Sequence, residues 1–389
     1  MATAYLIRGR HQRILLGHPW VYQNEIERVA GEFEPGDIVD VRDSRNRLIG
    51  RGYINPKSMI TIRLLTRDDE QVDDRFVSER IRRALDYRRN TVGDIQCYRL
   101  VNAEADMLPG LIVDRFGEYL VFQTLTLGMD MRKPVIIECL DEMLSPKGIY
   151  ERNDVPVREL EGLRQCAGFA KGPFDTLVDT AENGLKITVD VQRGQKTGHF
   201  LDQRENRLAT QNYACGRRVL DCFCHTGGFA LNAALAGAEY VLGVDQSESA
   251  LLIARKNAMD NSLAACEFVA SNAFDFLRSE ERRGSSYDLV ILDPPAFAKS
   301  RSALAGAIRG YKEINLRAMK ILNPGGTLIT CSCSHHLDEA AFGQMLLEAA
   351  FDAGKTLRLI EKKTQPKDHP ILLAAPETAY LKCFFFEVF

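Results

Sequence analysis

Residues 217–245 read RRVLDCFCHTGGFALNAALAGAEYVLGVD, and this stretch decides the fold class. Its first apolar run ends at Asp221, and a glycine pair follows at Gly227 and Gly228. An alanine-rich helical segment then leads to a second apolar run, which ends at Asp245. A strand, a glycine turn, a helix and a second strand form the repeating unit of doubly wound α/β sheets, so the sequence predicts that architecture here.

The same alternation continues to the end of the chain, where apolar strand patterns alternate with segments of helical periodicity. The predicted strands cover residues 217–222, 240–244, 265–269, 287–292, 326–331, 356–361 and 380–388, and the helices between them include 227–236, 247–260 and 337–352. This alternation predicts a seven-stranded, doubly wound α/β sheet.

The first half of the chain has a different pattern. Residues 1–70 carry short β-branched runs broken by turns, which predicts a small β-barrel. Residues 74–174 begin with an Arg-rich helix and predict a small α+β domain. In the third region, 175–389, the dipeptide Asn183-Gly184 predicts a hairpin with a type I′ turn ahead of the α/β sheet.

Charge is distributed unevenly along the chain. The 389 residues include 50 Lys and Arg against 53 Asp and Glu, a net charge of −3. This balance excludes a protein that binds nucleic acid through positive charge over its whole surface. Residues 1–99 nevertheless carry 18 Lys and Arg against 15 Asp and Glu, and 17 of those cations are Arg. Arg suits bidentate phosphate contacts, although a solvated charged surface explains the excess equally well.

The cysteines bear on the cellular compartment and on metal binding. No apolar run reaches the ~18 residues of a transmembrane helix, and the first residues lack the apolar core of a signal peptide. Ten cysteines in such a chain predict thiols in a reducing cytoplasm. Cys222 and Cys224, with Cys331 and Cys333, could supply four zinc ligands, but structural zinc sites normally place two or more residues between paired cysteines. We therefore expect a cytoplasmic protein without a bound metal.

Polar side chains lie at or just beyond the ends of four of the predicted strands, at Asp221, Asp245, Asn272 and Asp293. In an open α/β sheet the ligand lies beyond the carboxyl ends of the strands. Asp245 comes 24 residues after Asp221, where a carboxylate can accept both hydroxyls of a ribose. The fingerprints of dinucleotide and nucleoside triphosphate sites are absent, so another nucleoside cofactor is indicated. A tight turn or a helix cap would explain each residue alone, but the four together favour a cofactor site.

Longer motifs narrow the family. They read GQKTGHFLDQRENR at 194–207, DPPAFAKS at 293–300 and CSCS at 331–334, with HPWVY at 18–22 and DMLPGLIVD at 106–114. Together they resemble the bacterial 23S ribosomal RNA (cytosine-C5)-methyltransferase I family over nearly the whole chain. The resemblance implies an N-terminal PUA domain, a small central α+β domain and a C-terminal Rossmann-like domain of a class I S-adenosylmethionine-dependent methyltransferase.

The resemblance also implies covalent catalysis, because carbon 5 of cytosine is not nucleophilic enough to take a methyl group directly from a sulfonium. Cys333, the second cysteine of CSCS, would add to carbon 6, and Asp293 would hydrogen-bond to N3 or protonate it. Some RNA cytosine-C5 methyltransferases have a second cysteine where this chain has Ala296. The base that removes the carbon 5 proton therefore stays open between ordered water, Cys331 and His335.

The other expected site residues follow from the strand ends and from the resemblance. For the cofactor they are Asp221, Phe223, Gly227 and Gly228 at the methionine end, Asp245 at the ribose, Gln246, Asn272 and Ala273 near the adenine, Asp293, and Thr197, Phe200, Asp202 and Arg204 from the preceding block. For the flipped base and the RNA they are Pro294, Phe297, Arg8, Arg10, Arg13, His18 and Trp20. Two of these have structural alternatives, because Arg204 could pair with Asp221 and Trp20 could belong to a core.

The resemblance thus implies methylation of a cytosine in 23S ribosomal RNA, at the family's target cytosine 1962, on naked RNA or on an assembling large ribosomal subunit. Two alternatives stay open. One is an RNA methyltransferase for a guanine or an exocyclic nitrogen, which needs no thiol. The other is a non-catalytic RNA-binding factor in ribosome assembly. The sequence does not fix the oligomeric state, and the chain could form a homodimer.

Overall fold

The computed structural model describes residues 1–93, 95–298 and 300–389. Lys299, which belongs to the DPPAFAKS motif, lies outside the described residues. The described chain forms two compact units, each assembled from separate stretches of sequence. The first consists of Met1–Thr180, Val189–Leu201 and Lys367–Thr378, and the second of Ala181–Thr188, Asp202–Pro366 and Ala379–Phe389. The three-domain division at 1–70, 74–174 and 175–389 stays a prediction.

A six-stranded sheet opens the first unit, counted over its described residues. The elements are β1 (Thr3–Leu6), α1 (Gln12–Leu15), β2 (Trp20–Val21), β3 (Ile26–Ala30), β4 (Ile38–Arg42), β5 (Leu48–Ile54) and β6 (Ile62–Thr66). The strands lie in the order β2-β6-β5-β4-β1-β3. Branched side chains such as Val39, Val41 and Ile62 are fully buried and form the core of this sheet. The predicted short strands of residues 1–70 are therefore confirmed.

A second sheet in the first unit has five strands among the described residues, in the order β11-β10-β9-β8-β7. The elements are α2 (Asp74–Thr91), β7 (Cys97–Asn102), β8 (Leu111–Phe116), β9 (Tyr119–Thr124), α3 (Leu127–Met131), α4 (Lys133–Leu144), β10 (Gly148–Asn153) and β11 (Cys166–Lys171). Asp73 caps the N-terminus of helix α2, and its carboxylate accepts from the Phe76 N–H at 2.9 Å. This is the predicted Arg-rich helix, and it buries Phe76, Ile81 and Leu85 in the core.

The predicted hairpin consists of β12 (Leu177–Glu182) and β13 (Leu185–Asp190). Asn183 has φ of 53° and Gly184 has φ of 83°. A type I′ turn requires positive φ at both central residues, which Asn and Gly tolerate better than other residues do. The turn is therefore formed as the sequence predicted.

The second unit contains a seven-stranded sheet over its described residues. Its elements are α5 (Arg204–Thr210), β14 (Arg218–Cys222), α6 (Gly228–Leu235), β15 (Tyr240–Asp245), α7 (Glu248–Asp260), β16 (Cys266–Ala270), α8 (Ala273–Arg283), β17 (Tyr287–Leu292), α9 (Leu304–Lys320), β18 (Leu322–Ser332), α10 (Glu339–Ala353), β19 (Leu357–Lys363) and β20 (Lys382–Val388). The strand order is β16-β15-β14-β17-β18-β20-β19. Strands β14 to β18 run parallel, and β20 is antiparallel to both of its neighbours.

This topology places the candidate site. Strand β14 pairs with β15 on one side and with β17 on the other, so the winding reverses there. In such a sheet a crevice forms beyond the carboxyl ends of the two central strands. The buried core of the sheet includes Leu220, Val290 and Leu328. All seven predicted strands are confirmed, and the residues that follow β14, β15, β16, β17 and β18 come to the same edge.

Candidate active site

Asp221 lies near the end of β14 and is fully buried. Its Oδ2 accepts a hydrogen bond of 2.9 Å from the Ala230 N–H in the first turn of α6, whereas its Oδ1 has no hydrogen-bond partner among the described residues. Burial raises the pKa of Asp221 well above its usual range, and the carboxylates of Asp293 and Asp245 raise it further. A buried carboxyl oxygen without a partner is a site that a ligand cation can satisfy.

The turn after β14 has an unusual backbone. Phe223 has φ of 65° and His225 has φ of 49°, and Gly227, which precedes α6, has φ of 83°. Left-handed conformations are unfavourable for residues with a Cβ and concentrate at ligand sites. A Cβ on Gly228 would come within 2.6 Å of Arg207 Cδ. Gly227 is thus favoured by its left-handed backbone conformation, and Gly228 by the close packing of Arg207.

Asp245 joins the ends of two elements. Its Oδ2 accepts from the His225 N–H at 2.9 Å, and its Oδ1 accepts from the Ser247 N–H at the start of α7, also at 2.9 Å. An ionised carboxylate has about four acceptor positions, so both oxygens retain capacity for a ribose diol. Gln246 follows Asp245 and is exposed.

Asn272 caps helix α8. Its Oδ1 accepts from the backbone N–H groups of Phe274 at 2.9 Å and Asp275 at 3.3 Å. The side chain is exposed, and the adjacent Ala273 is buried. Because the oxygen is engaged in the cap, the amide N–H₂ group is the part of Asn272 that could contact an adenine.

Gln203 positions Asp293. The Gln203 Nε2 donates to Asp293 Oδ1 at 2.8 Å, and the Asn206 Nδ2 donates to Gln203 Oε1 at 2.6 Å. Gln203 and Asn206 are buried, whereas Asp293 is half-buried at the end of β17. Neither Gln203 nor Asn206 was a predicted site residue, although both lie in the 194–207 motif. That motif was the available signal.

The two cysteines of the CSCS segment have different surroundings. Cys333 is half-buried, and its Sγ lies 4.0 Å from the carbonyl oxygen of Pro294. Cys331 is fully buried, with its Sγ 3.2 Å from Cys383 Sγ. Burial raises the pKa of the Cys331 thiol well above its usual range, and the Cys383 thiol raises it further. The structure therefore brings Cys333, rather than Cys331, to the DPP segment as an accessible thiol.

Tyr311 of α9 holds the loop that carries Cys333. The Ser332 Oγ donates to Tyr311 Oη at 3.1 Å, and Ser334 Oγ lies 3.0 Å from the same hydroxyl. The Ala298 N–H donates to Ser334 Oγ at 3.4 Å, which links this loop to the DPPAFAKS segment. Burial raises the pKa of Tyr311, so its hydroxyl keeps its proton near neutral pH. Tyr311 was not among the predicted site residues.

Aromatic rings gather at the same edge of the sheet. The Phe297 ring centroid lies 4.6 Å from that of Tyr311 and 5.8 Å from that of Phe274. Phe223 stands 6.4 Å from both Phe274 and Phe297. These contacts bring the predicted residues Phe223 and Phe297 together and add Phe274 and Tyr311.

The 194–207 motif is divided between the two units. In the first unit, Thr197 Oγ1 donates to the buried Asp114 carboxylate at 2.6 Å, and the Phe200 ring lies 4.9 Å from the Lys196 ammonium. In the second unit, Asp202 Oδ2 accepts from the Tyr380 hydroxyl at 2.7 Å.

Two arginines of the motif have carboxylate partners in the second unit. Arg204 Nη2 lies 3.7 Å from Glu205 Oε1. Arg207 donates from Nε and Nη2 to both oxygens of Glu182, at 2.6 and 2.7 Å. Arg207 is the cation that lowers the pKa of Asp221 against the stronger effect of burial. The suggested pairing of Arg204 with Asp221 stays an untested alternative.

Three of the five residues expected to contact RNA have partners inside the first unit. Arg13 donates to the Trp20 carbonyl at 2.9 Å and to both oxygens of Glu25. His18 is buried and its Nε2 lies 3.2 Å from Glu377 Oε2, while Trp20 Nε1 donates to Glu104 at 3.0 Å.

Arg8 and Arg10 complete the predicted set, and both are exposed. Burial lowers the pKa of His18, so a neutral imidazole is favoured near neutral pH. Because Arg8 and Arg10 are exposed, whereas Arg13, His18 and Trp20 have partners inside the first unit, the two exposed arginines are better placed for phosphate contacts.

Residues 1–93, 95–298 and 300–389, which the structure describes, bear on membrane and metal binding. Neither a helix long and apolar enough to cross a membrane nor a group of three or more His, Cys, Asp or Glu side chains suited to a metal ion occurs there. Cys222 and Cys224, considered above as zinc ligands, are buried, and burial raises both of their pKa values well above the usual range.

Comparison with known proteins bears on the family of the chain. Residues 160–387 match the family model of S-adenosylmethionine-dependent methyltransferases, and residues 5–67 match that of PUA-like domains. The chain is 42% identical to the ribosomal RNA large subunit methyltransferase I of Tolumonas auensis and 40% identical to that of Serratia proteamaculans. In both pairs, 98% of each chain is covered.

Solved structures support the fold. A structure described as a methyltransferase complexed with SAH has a TM-score of 0.86 at 20% identity, with 100% of both chains covered. A protein from Streptococcus mutans described as a SAM-dependent methyltransferase has a TM-score of 0.84 at 20% identity, again over 100% of both chains. The predicted fold class is confirmed.

Proposed function

The chain belongs to the ribosomal RNA large subunit methyltransferase I family, and on this premise we propose that it methylates carbon 5 of a cytosine in 23S ribosomal RNA through an adduct with Cys333. Without regard to the position of the methylated atom, its activity is S-adenosylmethionine-dependent methylation of ribosomal RNA. The proposed target is cytosine 1962, on naked RNA or on an assembling large subunit.

One observation carries the choice of carbon 5. The half-buried Cys333 Sγ lies 4.0 Å from the Pro294 carbonyl, next to Asp293. A methyltransferase acting on a nitrogen has no need of a thiol at this position. A cytosine that is flipped out of its stack could meet both the thiol and the carboxyl group of such a site. This arrangement favours cytosine over the alternative of a guanine or exocyclic nitrogen.

Each residue then has a chemical role. The Cys333 thiolate bonds to carbon 6, and the carboxyl group of Asp293, held by Gln203, gives its proton to N3 and so neutralises the negative charge that builds on the ring. Electron density moves to carbon 5, which takes the methyl group. Loss of the carbon 5 proton to the base, return of the N3 proton to Asp293 and departure of the thiolate restore the aromatic ring. Pro294 stiffens the loop, and Phe297 stacks on the base.

The base for the carbon 5 proton can be narrowed. Cys331 is fully buried against Cys383, and its raised pKa keeps it protonated at neutral pH, so it is poorly suited to accept a proton. His335 is exposed and its ring lies 5.2 Å from that of Tyr380. Ordered water and His335 are therefore the favoured candidates.

S-adenosylmethionine supplies the electrophilic methyl group, and the residues at the strand ends fit its parts. The unpartnered Oδ1 of Asp221 suits its ammonium group, and Asp245 suits its ribose. The rest of the proposed cofactor set is Phe223, Gly227, Gly228, Gln246, Asn272, Ala273, Asp293, Thr197, Phe200, Asp202 and Arg204.

The test replaces the nucleophile. Cys333→Ala should lower methylcytidine formation in 23S ribosomal RNA by at least about 1,000-fold, since no other accessible thiol adjoins the DPP segment among the described residues. Methylated nucleosides are measured by mass spectrometry after reaction with the full chain. Cys215→Ala, which removes an exposed thiol, is the matched control and should retain activity.

The result separates the three functions. Retained turnover in Cys333→Ala would rule out the covalent mechanism and favour a nitrogen acceptor. A non-catalytic assembly factor predicts that calorimetry detects no binding of S-adenosylmethionine to the wild-type chain. Methylation at a cytosine other than 1962 would refute the proposed target while leaving the chemistry intact.

A further inference from the structure

Lys382 lies beside the segment that carries Cys333. In the antiparallel pairing of β18 with β20, Lys382 stands opposite Ser332. Its side chain is buried, and its Nζ donates to the carbonyl oxygens of Ser334 and Tyr380, each at 2.8 Å. The lysine therefore contacts the residues on both sides of Cys333, one through strand register and the other through its ammonium group.

Burial of the Lys382 ammonium group is energetically unfavourable, because desolvating a charge is costly unless it is paired. Two of its three hydrogens bond to neutral carbonyl oxygens, and no acceptor for the third is found among the described residues. A packing role alone would not require a charge at this position. Lysine is also a residue whose protonation responds readily to burial.

The charges around Lys382 point to Cys333. Burial lowers the pKa of Lys382 to about 8, and the strongest opposing effect comes from Cys333, followed by Asp338 and Glu339 at the start of α10. Tyr311 of α9 also interacts electrostatically with Cys333, but burial keeps its hydroxyl neutral. Lys382 is thus a cation whose charge interacts with this thiol.

We propose that Lys382 is a positioning residue whose ammonium group holds Cys333 as the thiolate. The inference rests on the proposed function, in which Cys333 is the nucleophile. Lys382 is already an ammonium group near neutral pH, so the proton on Sγ leaves to solvent water, which gives a thiolate beside an ammonium. The electron pair on sulfur then forms the bond to carbon 6, and the same pair returns to sulfur when the thiolate departs. Lys382 keeps its proton throughout both steps.

The test measures Cys333 reactivity without RNA or cofactor. The full chain is alkylated with iodoacetamide across a range of pH, and mass spectrometry follows the peptide that contains Cys333. In the wild type, half-maximal reactivity is expected below the value of about 8.5 for an ordinary thiol. Lys382→Met, which keeps the length but removes the charge, should move this midpoint upward by about one to three pH units.

Control variants separate charge from structure. Lys382→Arg retains the charge and should keep the midpoint near the wild-type value. Lys320→Met removes an exposed lysine that pairs with Glu281 at 3.0 Å and should leave the profile unchanged. Melting temperatures of all variants check that Lys382→Met is folded. If it is not, the wild-type profile decides, because a midpoint at or above that of an ordinary thiol contradicts the inference.

Failure of the inference differs from failure of the proposed function. A folded Lys382→Met chain with an unmoved midpoint overturns the role of Lys382, even if methylation depends on Cys333. Conversely, full methylation by Cys333→Ala refutes the covalent mechanism, whatever the alkylation profile shows. A shifted midpoint together with a loss of methylation of at least about tenfold at pH 7 in Lys382→Met supports both.

Discussion

Asp221 shows how a single buried carboxyl group can favour ligand binding at the expense of stability. Its folded-state pKa is raised above the unfolded value, mainly by burial. Its stabilising effect is therefore fully present below about pH 4 and is lost as the pH rises through the raised pKa. At neutral pH the ligand-free chain has lost part of this stabilisation, and a bound ammonium group would offset the loss.

Asp221→Asn should therefore stabilise the ligand-free chain by about 1 kcal/mol at pH 7, because the amide is neutral and its oxygen can still accept from Ala230. The same change should weaken S-adenosylmethionine binding by about tenfold or more. Thermal unfolding between pH 4 and 8 and calorimetric titration measure the two effects. Asp352→Asn, at an exposed position, is the control. Equal stability of the wild type and Asp221→Asn at all pH values would contradict this account.

Several site residues had no signal in the strand and helix pattern of the sequence, although Gln203 lies in the 194–207 motif. Gln203 reaches Asp293 across 90 positions of the chain, and Lys382 reaches Ser334 across 48. Strand-end residues such as Asp221 and Asp245 could be predicted because their place follows from the strand pattern itself. A glutamine or lysine that acts through folding of distant segments has no such periodicity, so only the structure reveals it.

At the level of elements, the strands were predictable because parallel strands buried on both faces have nearly continuous apolar runs. Strands β14 and β17, with Leu220 and Val290 in the core, illustrate this pattern. Their ends were less certain, and β18 begins at Leu322, four residues before the predicted start at Gly326. This extension could not be predicted, because it contains Asn323, Pro324 and Gly325, and such turn residues are unusual inside strands.

The start of α6 also depends on a contact that the sequence does not reveal. Gly228→Ala would place a Cβ 2.6 Å from Arg207 Cδ, which must move away from Glu182. The buried pair of Arg207 and Glu182 would be strained, so we expect α6 to be destabilised by about 1–3 kcal/mol. Hydrogen exchange of the α6 amides measures this loss.

Gly343→Ala provides the matched control for that variant. Gly343 lies inside α10, and a Cβ there meets no atom within 4 Å. The change should stabilise α10 by about 0.5–1 kcal/mol, because alanine loses less backbone entropy in a helix. Similar protection of α6 in Gly228→Ala and the wild type would show that Arg207 can adjust without losing its partner.

At the scale of the whole molecule, the net charge of −3 conceals an uneven distribution of charge along the chain. The arginine-rich first 99 residues include the PUA-like domain at 5–67, whereas the methyltransferase family match covers 160–387. Not every arginine in the first region is available to RNA, since Arg13 pairs with Glu25 and the buried Arg88 pairs with Asp106. Composition alone therefore overstates the basic surface, and exposure decides which cations can contact phosphate.

The double variant Arg8→Ala/Arg10→Ala tests that distinction. Both side chains are exposed, so their loss should weaken binding of a 23S ribosomal RNA fragment and reduce the slope of log K against log salt by about one to two. Fluorescence anisotropy at several salt concentrations measures the slope. The control Arg283→Ala/Arg358→Ala removes two exposed arginines from the second unit and should change the slope less. Equal slopes for the wild type and the first variant would mean that neither Arg8 nor Arg10 neutralises a phosphate, and RNA affinity would have to be assigned to other cations.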